Sequence, residues 1–307
     1  MSKARTAGTV YGLVGMLSFS LTLPATRAAV LHLHPEVVAF GRPVLAAVCA
    51  AVLLLVTRQP FPARAYWKNF GLVVLGLVIG VPLTFAFGMR DLPSAHGAIT
   101  LALLPLATAL VAALRAGERP SRRFWAASLV GSLTVLAFAE MSGAGRIQPA
   151  DIILLLSVAA SAVGYAEGAR LARVMPGWQV ISWALVIGLP LQLVPFVLAV
   201  RAHGLAAPLS AWSGFAYIAI VSNWAGFFAW FKGLSTGGIS RVGQLQLIQP
   251  FCTLLFSALL LGETITVAMV VAAVIVVAAV AVGWSAPLEI RHQPLEAGEP
   301  SLDEGEM

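Results

Sequence analysis

Apolar positions along this chain neither alternate nor keep to one helical face. They run on, stretch after stretch, for the roughly 20 residues that a bilayer-spanning helix needs. Ten such stretches can be set out, at about 8–30, 36–57, 69–89, 94–115, 122–140, 151–172, 177–200, 210–233, 239–261 and 265–284. Short loops rich in Pro, Gly, Arg or Ser separate them, as in TRQPFPARAYWKN and RAGERPSRRF. The expected fold is all-α and integral to a membrane, with ten transmembrane helices. Lys3 and Arg5 precede the first stretch as they would in a secretory signal, but the stretch is longer than a signal's apolar core. From Pro287 the chain reads PLEIRHQPLEAGEPSLDEGEM, acidic and poor in apolar residues, so a disordered cytoplasmic tail is expected over 285–307.

Composition sharpens this. The chain is 59% hydrophobic and 10% charged, and its polar stretches are too short to build a soluble domain, so function must lie within the spans. A net charge of +6 would suggest nucleic acid in a soluble protein. Here it reflects loop arginines and the topology they enforce, and no nucleic-acid partner is expected. Cys49 and Cys252 both fall in apolar runs, which indicates neither a disulfide framework nor a metal cluster.

Threading ten spans with the N-terminus inside gathers the loop lysines and arginines on the cytoplasmic side. Only Arg90, Arg146 and Arg201 fall outside, while Arg27 and Arg42 lie within spans. Both termini are therefore expected in the cytoplasm, in a multi-pass protein of the cell inner (cytoplasmic) membrane. The chain also repeats itself. Pro105 and Pro250, Thr108 and Thr253, Gly117 and Gly262, Glu118 and Glu263, and Gly88 and Gly233 are each separated by 145 positions. The expected division is 1–140 and 151–284, five spans each. An odd number of spans turns the second half over, which makes two inverted five-helix repeats, a construction shared by many secondary transporters.

Each half closes with a proline, an apolar run, Gly-Glu and another span: LPLATALVAALRAGERPS and IQPFCTLLFSALLLGETIT. With the arginine of VVAFGRPVLAA, these features resemble the EamA-type ten-helix members of the drug/metabolite transporter superfamily over about 8–284. The Trp-Gly pair that members often carry in the first span is replaced here by MLSFSLTLPATR. The resemblance implies movement of small organic metabolites, amino acids prominent among them, through a central cavity shared by the halves. Export is the expected direction. Uptake, or facilitated passage of a nucleobase, sugar or drug-like solute, is the alternative.

Candidate site residues are the polar groups that a span should not hold without reason. Gln246 and Gln249 share one helix face, with Gln244 almost opposite, so one side can line a cavity while the other bonds a neighbouring helix. Pro250 leaves the Gln246 carbonyl without its usual donor, and Pro105 does the same to Leu101. His96 and Thr100 share a face of the fourth span. Arg42 can clamp a substrate carboxylate or satisfy carbonyls at a helix interface. Asn223 must find a partner at its depth. Tyr165, Trp183 and Trp224 are the aromatic candidates, in a chain where such stripes more often pack.

Gly8 and Gly12, and the stripe Ser18, Thr22 and Thr26, read as close helix packing. Glu167 is the carboxylate deepest in a span and the candidate proton carrier, with His96 in reserve. Arg170 and Arg173 nearby offer it a structural ion pair instead. An intramembrane enzyme finds no support: the only aspartates are Asp91, Asp151 and Asp303, and no HExxH or P-loop occurs. A non-transporting scaffold would leave the buried polar groups unexplained. The expected partners are a metabolite and the bilayer, with protons as the candidate coupling ion and no cofactor, as monomer or homodimer.

Overall fold

The structure, a computed structural model, describes residues 3–91, 94–141, 149–261 and 266–290. Arg146, Gly262, Glu263 and the tail from 291 lie outside the described residues. The chain is helical in α1 (Lys3–Ser20), α2 (Thr22–Val30), α3 (Pro35–Val56), α4 (Trp67–Val73), α5 (Val81–Asp91), α6 (Ser94–Arg115) and α7 (Arg122–Ala139). It continues through α8 (Pro149–Leu171), α9 (Gly177–His203), α10 (Leu209–Ala216), α11 (Gly226–Gly237), α12 (Ile239–Gly243), α13 (Gln249–Leu261) and α14 (Val267–Ser285). Among the described residues, six helical stretches are long and apolar enough to cross a membrane: Arg5–Val30, Pro35–Val56, Arg64–Thr84, Gly177–His203, Leu209–Gly237 and Val267–Ser285. The helices α6, α7, α8 and α12–α13 stand where the other expected spans lie.

Several spans are interrupted, and the interruptions have chemical causes. Proline removes the N–H that would close a helical turn on the carbonyl four residues back. Pro24 cannot serve Ser20, and the first span breaks there, between α1 and α2 at Leu21. The hydroxyl of Thr253 on α13 donates to the Ser20 carbonyl instead, at 2.5 Å. Pro82 cannot serve Val78, which lies in a π-helical segment, Val74–Gly80, between α4 and α5. The buried Gln192 of α9 donates its amide N–H to that carbonyl at 3.0 Å. A second π-helical segment, Tyr217–Ala225, joins α10 to α11, and the 145-residue repeat offset lays the first segment onto it. Ahead of Pro250 the ninth span loosens into a 3-10 turn, Gln244–Leu247, between α12 and α13. Pro105, its repeat counterpart, sits inside an unbroken α6.

Glycines set how closely the spans approach. α1 lies along α11 with Gly8 and Gly12 facing Gly233 and Gly237. A Cβ on Gly233 would stand 2.6 Å from the Gly12 nitrogen, and one on Gly8 would stand 2.5 Å from the Gly237 Cα. This is backbone against backbone, the small-residue contact that membrane helices use in place of hydrophobic collapse. Around it packs a core that includes Met16, Phe70, Trp230 and Phe231.

At the same end, β1 (Glu118–Pro120) pairs antiparallel with β2 (Leu288–Ile290), Glu118 opposite Ile290. The tail expected to be disordered from 285 therefore begins ordered. Ala286 is buried and its carbonyl accepts from Arg241 at 3.1 Å, while the Pro287 carbonyl accepts the Ser121 N–H at 3.3 Å. The acidic remainder dominated the composition and hid this apolar lead. Glu118 is fully buried, and its two oxygens accept the backbone N–H groups of Ile239 (2.7 Å) and Ser240 (2.8 Å). Those are orphan donors of the first turn of α12, where a carboxylate is also favoured by the helix dipole.

The seam yields a direct expectation. Gly233→Val inserts a branched side chain where the opposing atoms are main chain, so α1 and α11 must separate, at a cost of about 1–3 kcal/mol. Thermal unfolding of the purified protein in detergent should show a clearly lowered midpoint; an unchanged midpoint would mean that the seam is looser than described.

Candidate functional site

Between the interrupted helices lies a narrow cavity of about 40 Å³, well below the roughly 300–1,000 Å³ usual for small-molecule sites, so a metabolite enters only if the surrounding helices part. Phe19, Leu77 and Phe227 supply apolar wall. The polar groups are Thr22, Arg42, Ser161, Tyr165, Ser222, Asn223, Gln246 and Gln249. They come from α2, α3, α8, the second π-helical segment, the 3-10 turn and α13, so both repeats build the site. Four of the interruptions described above border it. That placement has a reason, since irregular backbone at membrane depth persists only where protein or a polar cavity receives its freed groups.

The bonds within the site leave specific atoms unused. Arg42 is 4% exposed, and its Nη2 donates to the Ser222 hydroxyl at 3.1 Å, which in turn lies 2.7 Å from the Thr22 hydroxyl. The Arg42 Nε has no hydrogen-bond partner among the described residues. Gln246 donates to the Tyr165 hydroxyl at 3.2 Å and Gln249 to the Phe19 carbonyl at 3.3 Å, yet the side-chain oxygens of both are buried without donors among the described residues. The Asn223 Nδ2 is likewise buried and unpartnered. Among the described residues, no carboxylate lines the cavity. One buried cation, an amide N–H pair and two amide oxygens thus border one space. A buried polar atom left unpaired costs about 1–3 kcal/mol, which a solute offering the complementary groups would recover.

The three glutamines separate as their helical positions imply. Gln246 and Gln249 line the cavity, whereas Gln244 points away, donates to Ser128 on α7 at 2.5 Å and lies against Gly283 of α14. It ties helices together. Trp224 is also outside the lining: its indole N–H donates to Ser182 on α9 at 2.9 Å. Trp183 packs edge-on against Phe61, ring centroids 5.1 Å apart. His96 and Thr100 belong to α6, but their side chains lie outside the described residues. Ser161 and Ser222 are cavity residues that periodicity gave no reason to choose, since a serine in a span usually back-bonds its own helix. Thr22, read as packing, is at the wall as well.

Glu167 is away from the cavity. It is fully buried four residues from the end of α8, and accepts from Arg115 Nε, from Arg170 Nη1 (3.0 and 3.1 Å) and from Asn69 Nδ2 (2.5 Å). This network joins the ends of α4, α6 and α8. Arg115 and Asn69 were invisible as partners because they are distant in sequence. Glu167→Gln removes the charge that two guanidiniums share. Because Arg115 is 44% exposed and still hydrated, the expected loss is about 1–3 kcal/mol rather than the full cost of breaking a buried pair. It should appear as a lower unfolding midpoint in detergent; equal midpoints would refute a structural tie.

Comparison with known proteins agrees with this architecture. A model of the EamA-like transporter family matches residues 6–139 and again 148–283. The Bacillus subtilis (strain 168) protein named uncharacterized transporter YdeK is 42% identical over 276 residues, covering 90% of this chain and 96% of its own. A second protein of that organism, uncharacterized transporter YyaM, is 23% identical over 276 residues, 85% of this chain and 90% of its own. A crystal structure 19% identical in sequence superposes at a TM-score of 0.73 over 91% of this chain and 98% of its own, a likeness of fold.

Proposed function

Because the chain belongs to the EamA-like transporter family, within the drug/metabolite transporter superfamily, we propose that it is a secondary transporter exporting small metabolites of the amino-acid class by alternating access. The observation that carries this is the set of unpaired atoms around one cavity. Arg42 Nε and Asn223 Nδ2 are donors suited to a carboxylate, and the oxygens of Gln246 and Gln249 are acceptors suited to an ammonium. Phe19, Leu77 and Phe227 offer apolar wall to a substrate's side chain once the helices part. Glu167, shared between arginines, has no part in the proposed cycle.

Reconstitution into proteoliposomes with a panel of labelled amino acids, and with amine and carboxylate analogues of each, tests the reading. Losing one charge-assisted bond of about 1.5–3 kcal/mol predicts a fall in transport of about 10- to 100-fold for Arg42→Gln. Gln249→Leu should lower transport several-fold per folded molecule and, through loss of its bond to the Phe19 carbonyl, lower the unfolding midpoint by the equivalent of about 0.5–1.5 kcal/mol. Transport that ignores the substrate's carboxylate, or survives Arg42→Gln undiminished, would overturn it.

The proposal includes the inverted arrangement of 1–140 and 151–284, with both termini in the cytoplasm of a cell whose cytoplasmic membrane holds the protein. Glu118 is too buried to report its side, but the neighbouring Arg119 and, after α9, Leu205 are exposed. With Cys49 and Cys252 replaced by serine, Arg119→Cys should react with a membrane-impermeant maleimide only in inverted vesicles, and Leu205→Cys only in intact cells. Labelling of both from one side would sink the inversion.

A further inference from the structure

Away from the cavity, where α2 hands over to α3, three side chains from two distant parts of the chain converge. His34 is the N-cap of α3, with Nδ1 3.4 Å from the Glu36 N–H, and Glu36 lies in that helix's first turn. His203 ends α9, which packs along α3. The His34 and His203 rings stack, centroids 3.4 Å apart and planes 11° from parallel, and His203 Nε2 is 3.3 Å from a Glu36 oxygen. One ligating atom from each of the three residues lies within 4.8 Å of the other two.

We propose that His34, Glu36 and His203 form a binding site for a transition-metal dication of the Zn²⁺ type. Two imidazoles and a carboxylate make a borderline-soft donor set that suits Zn²⁺ rather than Mg²⁺ or Ca²⁺, which prefer all-oxygen shells. Ligands about 2.0–2.2 Å from Zn²⁺ stand about 3–3.5 Å apart, so the cluster needs only modest closing. Rotation of the two rings, from face-to-face towards edges converging on the ion, would provide it. His203 and Glu36 are 32% and 40% exposed, which gives an ion a path from water and the side chains room to turn. Solvent would complete the coordination. Glu36 is six residues from Arg42 on one helix, about 9 Å along it at 1.5 Å per residue. A bound ion would therefore pin the end of the arginine-bearing helix to α9.

The test uses the full chain purified without a polyhistidine tag, titrated with Zn²⁺ by calorimetry and with Co²⁺ by visible absorption. One ion per chain is expected, with the Co²⁺ spectrum of a low-coordinate nitrogen and oxygen site, and Zn²⁺ should raise the unfolding midpoint. His203→Ala and His34→Asn should each weaken binding at least tenfold; asparagine keeps an acceptor at the N-cap, so the helix start survives. His32→Ala, an exposed histidine of the same loop, should bind as the parent does. Absence of stoichiometric binding, or equal weakening by His32→Ala, would overturn the site. If either site variant shows a lower midpoint without metal, the other, with Glu36→Gln, decides.

Discussion

A carbonyl that has lost its helical donor cannot be left bare at membrane depth, and much of this molecule is arranged around that constraint. Pro24 deprives Ser20 and Pro82 deprives Val78. The replacements come from other helices: the Thr253 hydroxyl reaches Ser20, and the Gln192 amide reaches Val78. Each repair is also a long-range tie, from α13 to α1 and from α9 to the first π-helical segment. Proline at these positions thus substitutes a tertiary contact for a local one. The Gln249–Phe19 bond strengthens the first tie from the cavity side. The cavity exists where these helices are broken because regular helices would present closed hydrogen-bond ladders and few groups to a solute.

Arg42 depends on the same framework. A guanidinium buried to 4% exposure is costly in a low-dielectric interior unless dipoles surround it. Ser222 and Thr22 supply hydroxyls, held by an interrupted first span on one side and a π-helical turn on the other. The wide π turn brings Ser222 and Asn223 to the wall together, and such bulges recur at functional sites because they redirect consecutive side chains. The site therefore rests on backbone irregularity more than on any single residue.

What could be read from the residues divides along physical lines. Span positions, the all-α membrane fold and the family were legible, because long apolar runs and the Pro-to-Gly-Glu skeleton are local signals. The opposing faces of Gln244 and the Gln246–Gln249 pair followed from helical geometry. Long-range chemistry was not legible. Glu167 reads as a lone deep carboxylate until the ends of α4 and α6 bring Asn69 and Arg115 to it. Ser161 and Ser222 become site residues only when helices from both halves meet. Leu288–Ile290 forms a strand because β1 is there to receive it, a fact composition cannot hold.

The repeat explains why equivalent residues need not look alike. Thr108 and Thr253 occupy matching positions, yet the Thr253 hydroxyl bonds the Ser20 carbonyl while the Thr108 hydroxyl, also buried, has no partner among the described residues. Pro105 lies in a continuous helix and Pro250 follows a 3-10 turn. A duplicated sequence in one chain thus sits in two different local states. The shared proline is compatible with both, and the differing neighbours, Leu101 and Leu104 against Gln246 and Gln249, go with the different local states. The Gly8–Gly12 and Gly233–Gly237 seam carries no such asymmetry of its own, and holds α1 against α11 through backbone contact that no bulkier residue could reproduce.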